Sequence, residues 1–228
     1  MSDLADDGLF QYRGRFVGIT ERIADSMRRK MFDRFMQEFT PSEAMSVVDV
    51  GVTDDQRLDS NFFEKLYPFK SAITAVGLQD AKFLETQFPG LKFVQADALS
   101  LPFADQSFDL AVSFAVIEHV GNNERQRAFV RELCRVGKRV CLTMPNRWYP
   151  IEFHTVLPLL HWLPPEKFRR IIRLLGKEFF SHEENLNLLG EKDLLALLEP
   201  GTRARLIPFH FLSLGISNYM LIIDPKDG

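Results

Sequence analysis

The chain has 228 residues, 46% of them hydrophobic, and its 28 basic and 31 acidic side chains leave a formal charge of −3, enough material for one well-packed globular domain. The basic residues are spread along the chain and form no stripe, so counterion release from a phosphate backbone has little to act on and no nucleic-acid partner is expected. Cys134 and Cys141 are too few for a disulfide framework, Met1–Gly8 lacks the order of a signal peptide, and no run reaches the roughly 20 apolar residues of a bilayer span, which together predict a cytoplasmic location.

In chain order, Ile23, Met27, Met31, Phe35 and Phe39 recur at spacings of four and predict an amphipathic helix over about 21–39. Met45 to Val50 is a short β-branched run ending at Gly51, the pattern of a buried parallel strand. Further strands are predicted at 72–77, 91–94, 108–114 and 139–143, with helical patterns at about 60–67, 80–87 and 123–136, the last stopped by Gly137. Residues 150–180 carry Pro150, Pro158, Pro164 and Pro165 and read as an insertion, in which Ile171, Ile172, Leu174 and Leu175 with Arg169, Arg170, Arg173 and Lys177 predict a basic amphipathic helix after the apolar run Val156 to Leu163. Arg203 to Leu212 and Ser217 to Asp224 have hairpin spacing. The alternation predicts an α/β fold: a doubly wound, mostly parallel seven-stranded sheet with an antiparallel C-terminal hairpin and helices on both faces. The whole reads as one domain, with an N-terminal helix about 21–39, a core about 46–145, an inserted lid or substrate region about 146–190 and a hairpin about 203–224.

Val47-Val48-Asp49-Val50-Gly51 resembles the first motif of the class I, Rossmann-like S-adenosylmethionine-dependent methyltransferases. Gln95-Ala96-Asp97-Ala98-Leu99, followed by Ser107 to Val112, is similar to that family's adenine-facing stretch and fourth strand, and Phe114 to Val120 to the segment that closes over the methionine side. The resemblance implies S-adenosylmethionine as cofactor. The residues it implies for binding are Asp49, Gly51, Val52, Thr53, Gly77, Asp80, Asp97, Ala98, Leu99 and Phe114. A glycine lets the backbone approach the cofactor, and a carboxylate attracts the ammonium of its methionine half. At Asp97 the carboxylate would accept from the adenine amine while the Ala98 and Leu99 amides serve the ring nitrogens.

Two departures stand out. Gly51 is followed by Val52-Thr53-Asp54-Asp55-Gln56 instead of further glycines, so Thr53 and the backbone around it are the available replacements. Gly77 occupies the position where the family places an acidic residue on the ribose, and Asp80 either reaches back or caps the following helix.

His119, after the fourth strand, and His154, after the fifth, are the candidate catalytic acid/base groups, since imidazole titrates near neutrality. Asn146, Arg147, Trp148 and Tyr149 are the candidate substrate wall, the alternative being a structural turn in which Trp148 and Tyr149 plug the insertion. His161 and His182 lack metal-ligand spacing with other histidines or cysteines, so no metal site is expected; His210 reads as structural. The implied activity is methyl transfer to a small-molecule acceptor of sugar, quinone-like or lipid-linked type. A methyltransferase-like binding module without catalysis is the alternative, and a dinucleotide-dependent oxidoreductase is weaker for want of a G-x-G-x-x-G turn. The apolar and basic residues of 156–177 also suit a membrane surface, or a buried lid helix.

Overall fold

A computed structural model describes residues 17–56, 60–211 and 213–224, with side chains from 25 onward; the readings at Met1–Gly8, at Leu212 and for the Ile23 side chain lie outside these residues. The elements run α1 (Val17–Phe39), β1 (Val47–Val50), α2 (Phe62–Leu66), β2 (Ile73–Gly77), α3 (Phe83–Gln87), β3 (Lys92–Gln95), β4 (Phe108–Phe114), α4 (Asn123–Val136), β5 (Gly137–Pro145), α5 (Pro165–Leu174), α6 (Glu191–Leu195), β6 (Arg203–His210) and β7 (Ile216–Asp224). The strands form one seven-stranded sheet in the order β3-β2-β1-β4-β5-β7-β6. Neighbouring strands among β1 to β5 pair in parallel, and β7 runs antiparallel between β5 and β6. The predicted fold class is the observed one.

Strand residues alternate between two cores, one on each face of the sheet. Val47, Leu110, Val112, Cys141, Met220 and Ile222 face α1 and α2, whereas Val48, Val50, Ala111, Val140, Leu142, Leu221 and Ile223 face α4. Strands covered on both sides read as continuous apolar runs, which is why β1 and β4 were visible in the sequence. On the first face Phe35 is fully buried and meets Phe63 edge-on at 5.4 Å, while Phe63 stacks on Phe114 at 5.3 Å. The aromatic contacts thereby tie α1 and α2 to the carboxyl end of β4.

Several boundaries differ from the predicted ones for local reasons. Helix α2 starts at Phe62, not 60, because Asn61 adopts φ 51°, ψ 45°, outside the right-handed helical region. Helix α3 begins at Phe83 because Asp80 accepts from the Lys82 amide at 3.0 Å and forms a turn first. Strand β5 starts at Gly137, directly against α4; a Cβ there would lie 2.6 Å from that of Ala111. In α5 the buried residues are Phe168 and Ile172, while Leu174 and Leu175 are exposed, so the predicted apolar face is displaced towards Phe168. These two pack with Leu186 and Leu188 in a third small core.

The aromatic core implies an asymmetry in stability. Phe35→Ala should cost about 3–5 kcal/mol by the lost contacts and the cavity left behind. Arg131→Ala removes an ion pair with Glu199 whose side chains are 63% and 60% exposed, and should cost less than about 1 kcal/mol. Urea unfolding of the two variants measures both, and comparable losses would contradict this picture of the core.

Candidate active site

A crevice of about 610 Å³ opens at the carboxyl ends of β1, β2, β3 and β4, at the point where the strand order reverses between β1 and β4. That is where open α/β sheets bind ligands, and the volume suits a small molecule. Of the residues singled out in the sequence, Asp49, Gly51, Val52, Thr53, Gly77, Asp97, Ala98, Leu99, Phe114 and His119 line it. Asp80 does not. Its carboxylate is used in the turn before α3, whereas Gln79 does face the crevice and brings an amide to the vicinity of Gly77.

The turn after β1 is built differently from a glycine cradle. Gly51 has φ +116°, and the space of its missing side chain is filled by Val116, since a Cβ would lie 2.3 Å from a Val116 methyl. A Cβ on Gly77 would likewise lie 2.6 Å from the Val52 carbonyl oxygen. Both glycines therefore serve packing between loops rather than approach of a ligand. The amides of Gly51 and Val52 donate to the Val76 carbonyl at 2.8 and 3.1 Å, and the Thr53 amide donates to Asn61 Oδ1 at 2.9 Å. The expected backbone replacement for the missing glycines is thus absent, because all three amides are used within the protein. Asn61 also donates to the Thr53 carbonyl at 2.9 Å, closing the turn from the far side.

Side chains take over that end of the crevice. Asp49 and Glu64, both buried, sit beside each other on its wall, close enough for one carboxyl to donate to the other when the pair holds a proton. Burial, and then the Glu64 charge, push Asp49 well above the usual carboxylate range; burial raises Glu64 as well. Such a pair is stabilised by a proton or by a bound cation. Arg28, with its guanidinium 5.9 Å above the Phe62 ring, and Arg125 complete the polar lining.

Opposite, Asp97 Oδ1 accepts from the Leu99 amide at 2.9 Å. The Leu99 amide is therefore not available to a ring nitrogen as expected, and the second carboxylate oxygen is the one with which Asp97 can take a donor.

The two candidate histidines meet. Their rings stand edge-to-face at 4.8 Å, His119 partly exposed on the crevice and His154 behind it. His119 Nδ1 donates to the Asn185 carbonyl at 2.6 Å and His154 Nδ1 to Glu152 Oε1 at 2.7 Å. Glu152 is buried and also accepts from the His154 amide and from the Thr155 amide and hydroxyl. Burial, together with the neighbouring His154, pushes His119 down to about 4. Burial also disfavours a charge on His154, but Glu152 outweighs it and the net shift is upward. Burial raises Glu118 to about 7, and neither of its carboxylate oxygens has a hydrogen-bond partner among the described residues. The last part of the insertion braces this wall, with the Asn187 amide on the Glu118 carbonyl at 2.7 Å and Gln126 Nε2 bridging the Ile117 and Asn187 carbonyls.

The proposed substrate wall is corrected. Asn146 donates to the Ile216 carbonyl and accepts from the Trp148 amide. Arg147 reaches the Leu163 carbonyl, and the buried Tyr149 stacks on Phe153 and donates to the Phe211 carbonyl. None of these four residues lines the crevice. They form a turn that anchors the insertion, with Trp148 exposed on it 6.5 Å from Trp162. His161, also buried, bonds the Tyr149 carbonyl through Nε2. Glu64, Gln79, Glu118 and Glu152 are the site residues that sequence reasoning missed. Glu118 and Glu152 lay inside the singled-out segments, each within two residues of a candidate histidine.

Residues 65–140 match the family model described as a methyltransferase domain. A solved structure of the N-methyltransferase NodS from Bradyrhizobium japonicum with S-adenosyl-L-homocysteine superposes with a TM-score of 0.56, at 11% identity, over 88% of this chain and 87% of that one. The chain therefore shares the methyltransferase fold over most of its length, and its residues 65–140 are similar in sequence to a methyltransferase domain. A probable S-adenosylmethionine-dependent methyltransferase of Mycobacterium tuberculosis is 39% identical over 67 residues, 28% of this chain and 23% of that protein. A tRNA (carboxymethyluridine(34)-5-O)-methyltransferase of Arabidopsis thaliana is 32% identical over 75 residues, 33% of this chain and 18% of that protein. The matched stretches thus span about a fifth of the length of those relatives.

The acidic pair carries a pH signature. Unfolded carboxyls titrate near 4, so a native pair that holds its proton to higher pH makes the ligand-free protein lose stability as pH climbs above about 4. Glu64→Gln removes Glu64's share of that penalty, its own burial and its charge on Asp49, and leaves the burial of Asp49. Its thermal midpoint should exceed the parent's at pH 8, with the gap narrowing towards pH 4.5; parallel curves across that range would contradict the assignment.

Proposed function

We propose that the chain is an S-adenosylmethionine-dependent methyltransferase acting on a small-molecule acceptor, with the inserted region 146–190 of a single domain bordering the acceptor side through His154 and its brace on His119. The observation that carries this reading is the buried Asp49–Glu64 pair on the wall of a crevice at the sheet's switch point, with Asp97 on the opposite side. Two buried carboxylates side by side suit a ligand that brings positive charge. Arg28 and Arg125 suit the carboxylate at its methionine end, Gln79 the ribose hydroxyls, and Asp97 the adenine amine.

The cofactor, when bound, supplies a methyl group on a sulfonium centre. The chain's own residues then orient the partners and exclude water. Phe114 and Val116 bring apolar surface to the crevice, while His119 and, behind it, His154 are the groups that activate the acceptor. With both Nδ1 atoms donating, the neutral form of each imidazole carries its lone pair on Nε2, and His119, pushed down by burial, is the one held in that form. A net charge of −3 without a basic stripe favours a small acceptor over a polynucleotide. The insertion also exposes Trp148, Ile151, Val156, Leu159 and Trp162, an apolar surface that favours a quinone-like or lipid-linked molecule over a free sugar.

The fully used amides of the turn at 51–53 favour a second reading, a binding module that has lost catalysis. The two readings part on transfer of labelled methyl from S-adenosylmethionine, while both require cofactor binding. Calorimetric titration with S-adenosylhomocysteine should show saturable binding, weakened by about 1–3 kcal/mol in Asp97→Asn, which can keep the bond to the Leu99 amide while presenting a donor where an acceptor is needed. No binding by the parent would refute both readings, and unchanged affinity in the variant would move the adenine elsewhere.

A further inference from the structure

We propose that Glu118, His119 and His154 form a binding site for a divalent transition-metal ion of the zinc, iron or cobalt class, set into the crevice wall beside the acceptor position. One ligand atom from each residue lies within 4.8 Å of the other two, and His119 Nε2 is 4.0 Å from Glu118 Oε1. Ions of this class bind imidazole nitrogen and carboxylate oxygen at about 2.0–2.2 Å, which brings the donors to roughly 3–4 Å apart. A closure of up to about 1–2 Å therefore assembles the site.

Two independent features point the same way. Asn185 and Glu152 offer only acceptor oxygens to the two Nδ1 atoms, so the proton of each neutral ring is on Nδ1 and the Nε2 lone pairs are left for a metal. A carbonyl and a carboxylate behind ligating histidines is the support that metal sites use to fix ring orientation and strengthen the donor. Glu118 is 1% exposed and both its carboxylate oxygens lack a hydrogen-bond donor among the described residues, a costly state for a carboxylate unless a cation completes it. His154 protonated at Nε2 is the competing partner, but it makes no hydrogen bond to either Glu118 oxygen.

Two imidazoles and one carboxylate leave coordination positions open, and His119 lines the crevice, so those positions face the ligand space. A bound ion would take an acceptor oxygen there and favour its deprotonated form. This role rests on the methyltransferase reading; the binding of the ion does not.

The test is therefore made on the full-length protein, stripped with chelator and without cofactor. Titration with Co²⁺ and with Zn²⁺, followed by calorimetry, elemental analysis and the Co²⁺ ligand-field spectrum, should give one ion per chain. Glu118→Gln and His154→Gln should each weaken binding by about 100-fold or more, and Glu152→Gln, one shell out, by about 10–100-fold. His182→Ala, on the exposed end of the insertion, should leave it unchanged. Far-ultraviolet circular dichroism identifies any variant that fails to fold, and the parent's own stoichiometry and spectrum then decide. No stoichiometric uptake by the parent, or uptake that Glu118→Gln and His154→Gln leave intact when folded, overturns the proposal. Uptake without S-adenosylhomocysteine binding leaves the metal site standing and removes the methyltransferase reading.

Discussion

The close packing of Val116 against Gly51 is the constraint on which the crevice depends. At φ +116° and with no room for a Cβ, Gly51 turns the chain sharply out of the central strand, and the loop after β4 fills the space it leaves. The turn after β1 and the segment after β4 are thereby locked to each other, and they are the two walls of the site. The register of β1 with β2 and β4, Asp49 beside both Ala75 and Val112, sets the height at which those walls begin. A side chain at position 51 would push one wall from the other, whatever it did to the strand itself.

From that packing follows a division of labour. In many nucleotide sites glycine-rich turns hold a ligand with free amides. Here the amides of 51–53 are tied to Val76 and Asn61, and the proposed binding mode puts charged side chains in their place. Asp49 and Glu64 are forced together because α2 is held by Phe63 in the aromatic core while β1 is fixed in the sheet. The electrostatic cost of that juxtaposition is carried by the packing of α1 and α2. On the opposite wall the insertion has the corresponding role: Asn185 and Asn187 brace His119 and Glu118, and the Glu152–His154 pair comes from the start of the same insertion.

How much of this the sequence disclosed follows from the range of the interactions. Strands β1 and β4 and helix α4 were legible because burial on both faces, or on one helical face, imposes its own period on residue type. Asp49, Asp97 and His119 were legible because each stands at a strand end in a recognisable order. Glu64 was not, since its significance lies in a contact with Asp49 made across fifteen positions of sequence, as the rank of a charged residue in a short helix is ordinary. The substrate wall was misplaced for a related reason: Asn146 to Tyr149 has a binding-site composition, but its polar atoms are consumed by β7, Leu163 and Phe211, partners far along the chain. Glu118, His119 and His154 carry no metal-ligand spacing, and only the fold of the insertion brings them to one point.

A crystal structure with S-adenosylhomocysteine tests the central claim, that side-chain charge has replaced the amide cradle. The account predicts the methionine ammonium within hydrogen-bonding distance of Asp49 or Glu64, the adenine amine against Asp97, and the 51–53 amides still bonded to Val76 and Asn61. A ligand seated outside this crevice, or one whose carboxylate has taken those amides from Val76 and Asn61, would contradict it.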